Sequence, residues 1–282
     1  MRLSSKYLRG CETSRMLQRL TGWTKRLANG CSRPRWLWES GTFADGKDLL
    51  MSLVFPPQCA LCSSEVGMGI RLCTNCSRQL MSDKYCCQRC AMPLPNVLPN
   101  DECIHCRSSH WKFSRVIALG QYRGKLKEAV IYSKKMKGDN LRYALSELLA
   151  RRLQQRLPDI GSQNPLLVPV PNHWSRAFSG AAPTAFHLAC LLARHTGLPV
   201  RTGLVRRTRK TEKQGMLSIA ERRQNMRGAF IQINARSLTG RHVLIVDDVL
   251  TSGATASEMA RQIARGNPAE ITAIVVARAT GR

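Results

Sequence analysis

The chain has 282 residues, and its 44 Lys or Arg against 18 Asp or Glu leave a formal net charge of +26. That length holds one large or two small domains with a full α/β core, and the charge favours polyanionic partners such as DNA, RNA or a pyrophosphate-bearing ligand without choosing among them. No apolar run approaches the ~20 residues that span a bilayer, and no apolar core of the secretory kind follows the first basic residues, so the sequence argues against a helical membrane span and a cytoplasmic location is expected.

The basic excess is uneven: residues 1–44 hold nine Lys or Arg against Glu12 and Glu39. Arg and Ser enrichment there is compatible with a transit peptide, but Gly, Pro and Trp break any amphipathic helix. A start codon assigned upstream of a shorter protein fits equally well. Residues 1–46 are read as a basic, disordered extension. Beyond them the cysteines dominate. Eight of the twelve form four C-x-x-C pairs, Cys59/Cys62, Cys73/Cys76, Cys87/Cys90 and Cys103/Cys106, with intervals of 10, 10 and 12 residues. Each pair makes a tight knuckle that offers two thiolates to one ion, and two knuckles complete a tetrahedral site, so eight sulfurs suit two structural Zn²⁺ ions. The lack of a secretory signal argues against disulfides, and an iron–sulfur cluster is the weaker rival. Sequential pairing, 59/62/73/76 and 87/90/103/106, is the simpler topology, with a cross-braced arrangement also open. Cys86 could substitute as a ligand. Cys11, Cys31 and Cys190 stand outside the pattern, Cys190 as a small apolar side chain in a helix.

After the cysteines, residues 114–122 alternate like a strand and Tyr122-Arg123-Gly124 turns the chain. Helical periodicity runs from Lys125 to Met136 and from Leu141 to Leu157, with Gly138-Asp139-Asn140 as the break. Pro165 to Val170 reads as a buried strand that enters a proline-rich turn, where Arg176 could serve as an anion ligand. An ordinary strand-to-helix loop would serve those residues as well. Pro183 to His195 is helical and stops at Gly197. Residues 201–227 carry a second basic cluster, nine Lys or Arg against Glu212 and Glu221. Within it Thr208 to Gly215 (TRKTEKQG) suits a mobile lid, and Ser218-Ile219-Ala220-Glu221 has the capping-box form that starts a helix. Ile271 to Ala277 is the last strand. Strands alternating with helices predict a parallel sheet. His173, His187 and His195 have no ligand spacing among them and are read as surface or loop residues.

The densest signal is VLIVDDVLTSGAT, residues 243–255, which contains the chain's only Asp-Asp pair. Val243 to Val246 reads as a strand buried on both faces, Gly253 punctuates the turn, and Ala254 to Ala264 reads as a helix. A strand tip, two carboxylates, a hydroxyl-rich turn and a helix N-terminus make a ligand site of the doubly wound kind. A phosphorelay receiver builds most of its sheet after its acidic pair, which the short stretch beyond Asp248 does not allow. An ATPase strand would need a GxxxxGK[ST] loop, which is absent. Phosphoribosyl pyrophosphate (PRPP) fits better. Backbone N–H groups of Thr251 to Thr255, with the hydroxyls of Thr251, Ser252 and Thr255, suit its 5′-phosphate. Gly253 lets the backbone come close, and Asp247 and Asp248 suit the ribose hydroxyls. The string resembles the PRPP signature of type I phosphoribosyltransferases. An ordinary Asp-capped turn would not require all thirteen positions.

Taken together, residues 47–278 resemble the ComF family of phosphoribosyltransferase-like competence proteins, which includes GntX-type proteins. The resemblance rests on SLVFPPQCALC, the C-x-x-C pairs, YRGKLKEAV with KGD downstream, VPVP, RRTRKTEKQGMLSIAERRQNMRGAF and the Asp-Asp string. It implies an α/β fold: a type I phosphoribosyltransferase-like parallel sheet over 111–282 behind an N-terminal Cys-rich zinc-binding domain over 47–110. It also implies Asp247 and Asp248 as catalytic residues and a PRPP cradle completed by Val249, Leu250, Thr251, Ser252, Gly253, Ala254 and Thr255. Arg176, Arg207, Lys210 and Lys213, with Arg206 as a further candidate, would face the pyrophosphate, and Mg²⁺ would accompany PRPP. Where the family has RGFNQ this chain has RAFSG, Arg176 to Gly180, and its KFRGD-like stretch is KMKGD, Lys135 to Asp139. Two roles follow from the resemblance. One is DNA uptake in natural transformation, with single-stranded DNA and a DNA-uptake helicase as partners. The other is phosphoribosyl transfer from PRPP to an acceptor that the sequence does not name.

Overall fold

The computed structural model describes residues 55–81, 86–94, 103–107, 109–171, 184–209, 219–233 and 238–279. All of them belong to one of the chain's two contact units, Ser40–Arg282; the other, Met1–Glu39, lies outside the described residues, as does the rest of the expected extension.

The cysteine-rich segment contributes a short helix, α1 (Thr74–Leu80), and turns closed by cysteine backbone groups. The remainder runs β1 (Arg115–Gln121), α2 (Gly124–Ser133), α3 (Asp139–Arg156), β2 (Pro165–Pro169), α4 (Thr184–Thr196), β3 (Val205–Arg207), α5 (Ile219–Met226), β4 (Phe230–Gln232), β5 (His242–Leu250), α6 (Ala254–Ile263) and β6 (Glu270–Arg278). Among the described residues β1, β6, β5 and β2 form a parallel sheet in that order, and β3 and β4 form an antiparallel ribbon. A parallel bridge from Leu167 to Val200 extends the sheet past β2.

Both faces of the sheet are covered, which is why its strands are apolar at successive positions rather than at alternate ones. Leu244 and Val246 of β5, with Ile117, Leu119, Leu167 and Ile274, pack on α2, α3 and α4. Val243 and Ile245, one pleat out of phase, pack with Val116, Val168 and Val275 against α6 and the β3–β4 ribbon. The first ribbon of cysteines does not float beside this core. Cys59, Leu72, Cys76 and Leu80 share the α2–α3 cluster, and the Arg71 guanidinium lies 3.8 Å from the centre of the Tyr143 ring on α3.

Three local features differ from the sequence reading. α2 ends at Ser133, short of Met136, because Arg142 of α3 donates to the Ser133 carbonyl (2.7 Å) and closes that end, while a 3₁₀ turn over Met136–Gly138 links the helices. Gly138 is required there: a Cβ would sit 2.6 Å from the Tyr132 carbonyl oxygen and 2.9 Å from Ser133 backbone atoms. β5 continues through the aspartates to Leu250 because β6 pairs with it to the end, Asp247 opposite Val275 and Leu250 opposite Arg278. The β3–β4 ribbon is absent from the sequence reading, since VRR and FIQ are too short to show a period. Most of TRKTEKQG, and Ser218 of the capping box, lie outside the described residues.

Candidate functional site

Two groups of sulfurs converge, Cys59, Cys62, Cys73 and Cys76 in one and Cys87, Cys90, Cys103 and Cys106 in the other, each with all Sγ atoms within 4.8 Å of one another. Neighbouring sulfurs stand 3.8 Å apart (Cys62–Cys73), 3.8 Å (Cys87–Cys106) and 3.6 Å (Cys90–Cys103). Those values match the edge of a tetrahedron, ~3.8 Å, with Zn–S bonds of ~2.3 Å. Backbone N–H groups of Cys73 and Cys76 point at Sγ of Cys59 and Cys73, both at 3.4 Å, as donors that would stabilise thiolate charge. The donor set and spacing fit Zn²⁺ in both groups. Their surroundings differ. Cys62 is exposed, and a hydrogen bond from the Ser64 hydroxyl (3.0 Å) helps bring its thiol down to about 6. The second group is wholly buried, and burial pushes Cys106 up to about 12. Cys86 joins neither set; its sulfur meets the Arg156 guanidinium at the end of α3.

The strand–turn–helix at the carboxyl edge of β5 is the second feature. Asp247 and Asp248 are half-buried at the end of a central strand, between β6 and β2. Asp247 Oδ1 accepts the N–H of Asp248 (2.9 Å), and Asp248 Oδ1 accepts that of Val249 (2.8 Å). Burial and the neighbouring Asp248 charge hold the Asp247 carboxyl well above the usual carboxylate range. The other Asp248 oxygen pairs with Lys134 just past α2, whose side chain is 44% exposed. Leu250 ends the strand, Thr251 is half-buried, and the Ser252 hydroxyl accepts the Ala254 N–H (3.3 Å). One of the five amides expected to face a phosphate is therefore engaged within the turn itself. Gly253 takes φ +78° as the N-cap of α6, and Thr255 is half-buried on the first turn. The glycine is needed twice over. Its φ is left-handed, and a Cβ would lie 2.6 Å from Trp111 Nε1. Trp111 in turn donates to the Ser252 carbonyl (3.1 Å).

Beside this turn is a cleft of about 190 Å³, lined by Trp111, Arg223, Arg227, Ser252, Ser257 and Glu258 among others. Arg207, expected at the pyrophosphate, sits in β3 with its guanidinium 5.8 Å from the centre of the Phe230 ring on β4. Arg206, its neighbour, is exposed. Arg176, Lys210 and Lys213 lie outside the described residues. Among the described residues, Lys134, Trp111 and Arg278 meet the strand and turn without having been singled out in the sequence. Each is remote in the chain from the turn it touches, and no spacing rule links them.

A parallel sheet covered on both faces, an acidic strand tip and paired Cys₄ knuckles define a phosphoribosyltransferase-type domain joined to a double zinc ribbon. Comparison with known families agrees: the Double zinc ribbon domain matches residues 50–108 and the Phosphoribosyl transferase domain residues 144–282. The DNA utilization protein YhgH of Escherichia coli (strain K12) is 30% identical over 228 residues, 78% of this chain and 96% of that protein. Competence protein F of Haemophilus influenzae is 27% identical over 214 residues, 74% and 90% of the respective chains. The chain belongs to their family, the ComF family of phosphoribosyltransferase-domain proteins. The hypoxanthine-guanine phosphoribosyltransferase of L. donovani aligns over 48% of this chain and 70% of its own at 20% identity, with a TM-score of 0.32, too loose a superposition to locate a site.

Proposed function

We propose that this protein binds PRPP with Mg²⁺ at the strand–turn–helix of residues 247–255 and acts in the handling of DNA during uptake. The observation that carries the ligand reading is the pair of carboxylates near the carboxyl end of a central parallel strand, with a left-handed glycine at the N-terminus of α6 five residues beyond the second of them. Asp247 and Asp248 would accept the ribose hydroxyls. The amides and hydroxyls between Val249 and Thr255 would hold the 5′-phosphate, where the helix dipole favours an anion. Mg²⁺ prefers oxygen ligands and keeps much of its shell from phosphates and water, so PRPP would supply most of its coordination. Arg176, Arg207, Lys210 and Lys213 are the candidates to neutralise the pyrophosphate. Lys134 would stabilise Asp248 as a carboxylate until the ribose replaces it.

The DNA role is supported by the names of the relatives, a DNA utilization protein and a competence protein, and by the net charge of +26. Single-stranded DNA and a helicase are the partners that this role requires, and the cytoplasm is the compartment where such a helicase would work. The corresponding domains are residues 1–46, 47–110 and 111–282. Phosphoribosyl transfer is the second reading, favoured by the intact acidic pair. In it the carboxylates would steady the ribose as positive charge develops at C1, with basic side chains taking up the leaving pyrophosphate. Calorimetric titration with PRPP, with and without Mg²⁺, followed by a screen of acceptor bases, tests both. Saturable binding with no turnover supports a ligand-binding DNA-uptake protein; release of pyrophosphate with one acceptor makes it an enzyme. Absence of binding at millimolar PRPP with Mg²⁺ would refute the ligand reading.

A further inference from the structure

A buried guanidinium joins the second metal knuckle to the turn that follows β5. Arg278 closes β6 and is 5% exposed. Its Nε donates to the carbonyl of Cys90 (3.3 Å), and its Nη1 to the carbonyls of Leu250 (2.9 Å), Thr251 and Ala279. Its Cζ lies 5.7 Å from the centre of the Trp111 ring, whose N–H caps the Ser252 carbonyl. Trp111 stacks on Phe113 with centroids 5.1 Å apart and packs against the second group of cysteines. Three successive carbonyls of the turn, at 250, 251 and 252, are thus tied back to these two side chains.

That arrangement has a geometric consequence. In a trans peptide the C=O and the following N–H point in opposite directions, and no cis peptide bond occurs among the described residues. Fixing the carbonyls of Leu250, Thr251 and Ser252 toward Arg278 and Trp111 therefore turns the amides of Thr251, Ser252 and Gly253 to the other side, where an anion could meet them. A buried cation also requires compensation. The acceptors of Arg278 are backbone carbonyls, one of them the carbonyl of Cys90 in the second knuckle. Four thiolates around one Zn²⁺ would make a net anion, so a loaded second knuckle would serve as the counter-ion of Arg278. The first knuckle is built into the α2–α3 face instead.

We propose that Arg278 and Trp111 are positioning residues that make the shape of the turn at 250–253 depend on metal loading of the second knuckle and not of the first. Its ligand consequence rests on the PRPP reading; its metal-to-turn consequence does not. The test uses the full chain loaded with zinc. Arg278→Lys keeps a cation but loses the fork, and Trp111→Phe keeps the ring but loses the N–H donor. Both variants should retain zinc in both knuckles by metal analysis. Amide hydrogen exchange across residues 250–255 should quicken in each by about tenfold or more, the effect of one lost hydrogen bond. PRPP affinity should fall by a similar factor. Cys106→Ser, which disables the second knuckle, should quicken the same amides, whereas Cys62→Ser, which disables the first, should leave them unchanged. Unchanged exchange at 250–255 in both Arg278→Lys and Trp111→Phe would overturn the proposal, as would equal quickening by the two cysteine variants. If the wild-type protein binds no PRPP, the ligand reading fails, and the exchange measurements still decide the coupling.

Discussion

Asp248→Asn separates binding from folding because the structure assigns the lost charge so few internal duties. An asparagine keeps an oxygen for the Val249 amide, which Asp248 Oδ1 accepts at 2.8 Å. Among the described residues the charge itself serves one favourable contact, the pair with Lys134, whose side chain is 44% exposed against 22% for Asp248, and it opposes the neighbouring Asp247 carboxylate. An ion pair that open to solvent contributes about 0–1 kcal/mol. For a chain of this size that corresponds to a fall in Tm of no more than ~2–4 °C. A ribose hydroxyl donating to the carboxylate is another matter. Charge-assisted hydrogen bonds contribute about 1.5–3 kcal/mol, which is roughly ten- to a hundred-fold in Kd. The expected result is a calorimetric Kd for PRPP with Mg²⁺ weakened by that factor, a nearly unchanged melting curve, and unchanged binding of a single-stranded oligonucleotide by fluorescence anisotropy. An unaltered PRPP affinity would refute the assignment of Asp248 to the ribose. A large drop in Tm would refute the reading of the residue as structurally idle.

Asp247→Asn should behave differently, raising Tm at neutral pH while weakening PRPP binding. Burial and Asp248 raise the native pKa of Asp247 above its unfolded value, so its contribution to stability is fully present below the unfolded pKa and lost as pH rises through the native one; the gain should therefore shrink as the pH of parallel melting scans is lowered into the ordinary carboxylate range. Metal analysis should find about two zinc ions per chain, and a colorimetric chelator should remove them in two phases, the group with exposed Cys62 first and the buried group second. Single-phase release would contradict the difference in burial. Gly253→Ala should abolish PRPP binding and cost about 1–2 kcal/mol in stability, from the left-handed φ together with the collision with Trp111, as read by denaturant titration. In DNA titrations over a salt series, Arg206→Ala should lower the slope of log K against log salt by about one if the exposed side chain meets a phosphate; Arg209→Ala should instead lower stability, because that guanidinium closes α5 by bonding the carbonyls of Asn225 (2.6 Å) and Arg227 (3.0 Å).

What the sequence determined by itself were the features carried by short-range chemistry. Two thiols at C-x-x-C spacing must form a knuckle wherever they lie, so both Cys₄ groups were legible, and the sequential pairing was the simpler of two open topologies. Four β-branched or apolar residues before two aspartates, with glycine and a helical pattern after them, marked strand, turn and helix, because a strand covered on both faces has no polar alternation to hide it. The boundaries were less legible. β5 runs on through its aspartates because β6 supplies ladder partners, and α2 stops early because Arg142 reaches its last carbonyl, neither of which is written in the local period.

The tertiary structure alone decided which distant side chains meet the turn. Lys134 reaches Asp248 because α2 ends beside the carboxyl edge of β5, and Arg278 reaches Thr251 because β6 ends in register with Leu250. It also assigned Gly253 a second reason to be glycine, the indole pressed against it from the segment that leaves the second knuckle. A sequence specifies propensities over a few residues. The ion pairs and carbonyl clamps that fix this site join residues far apart in the chain, and their geometry exists only once the sheet has set strand order and register.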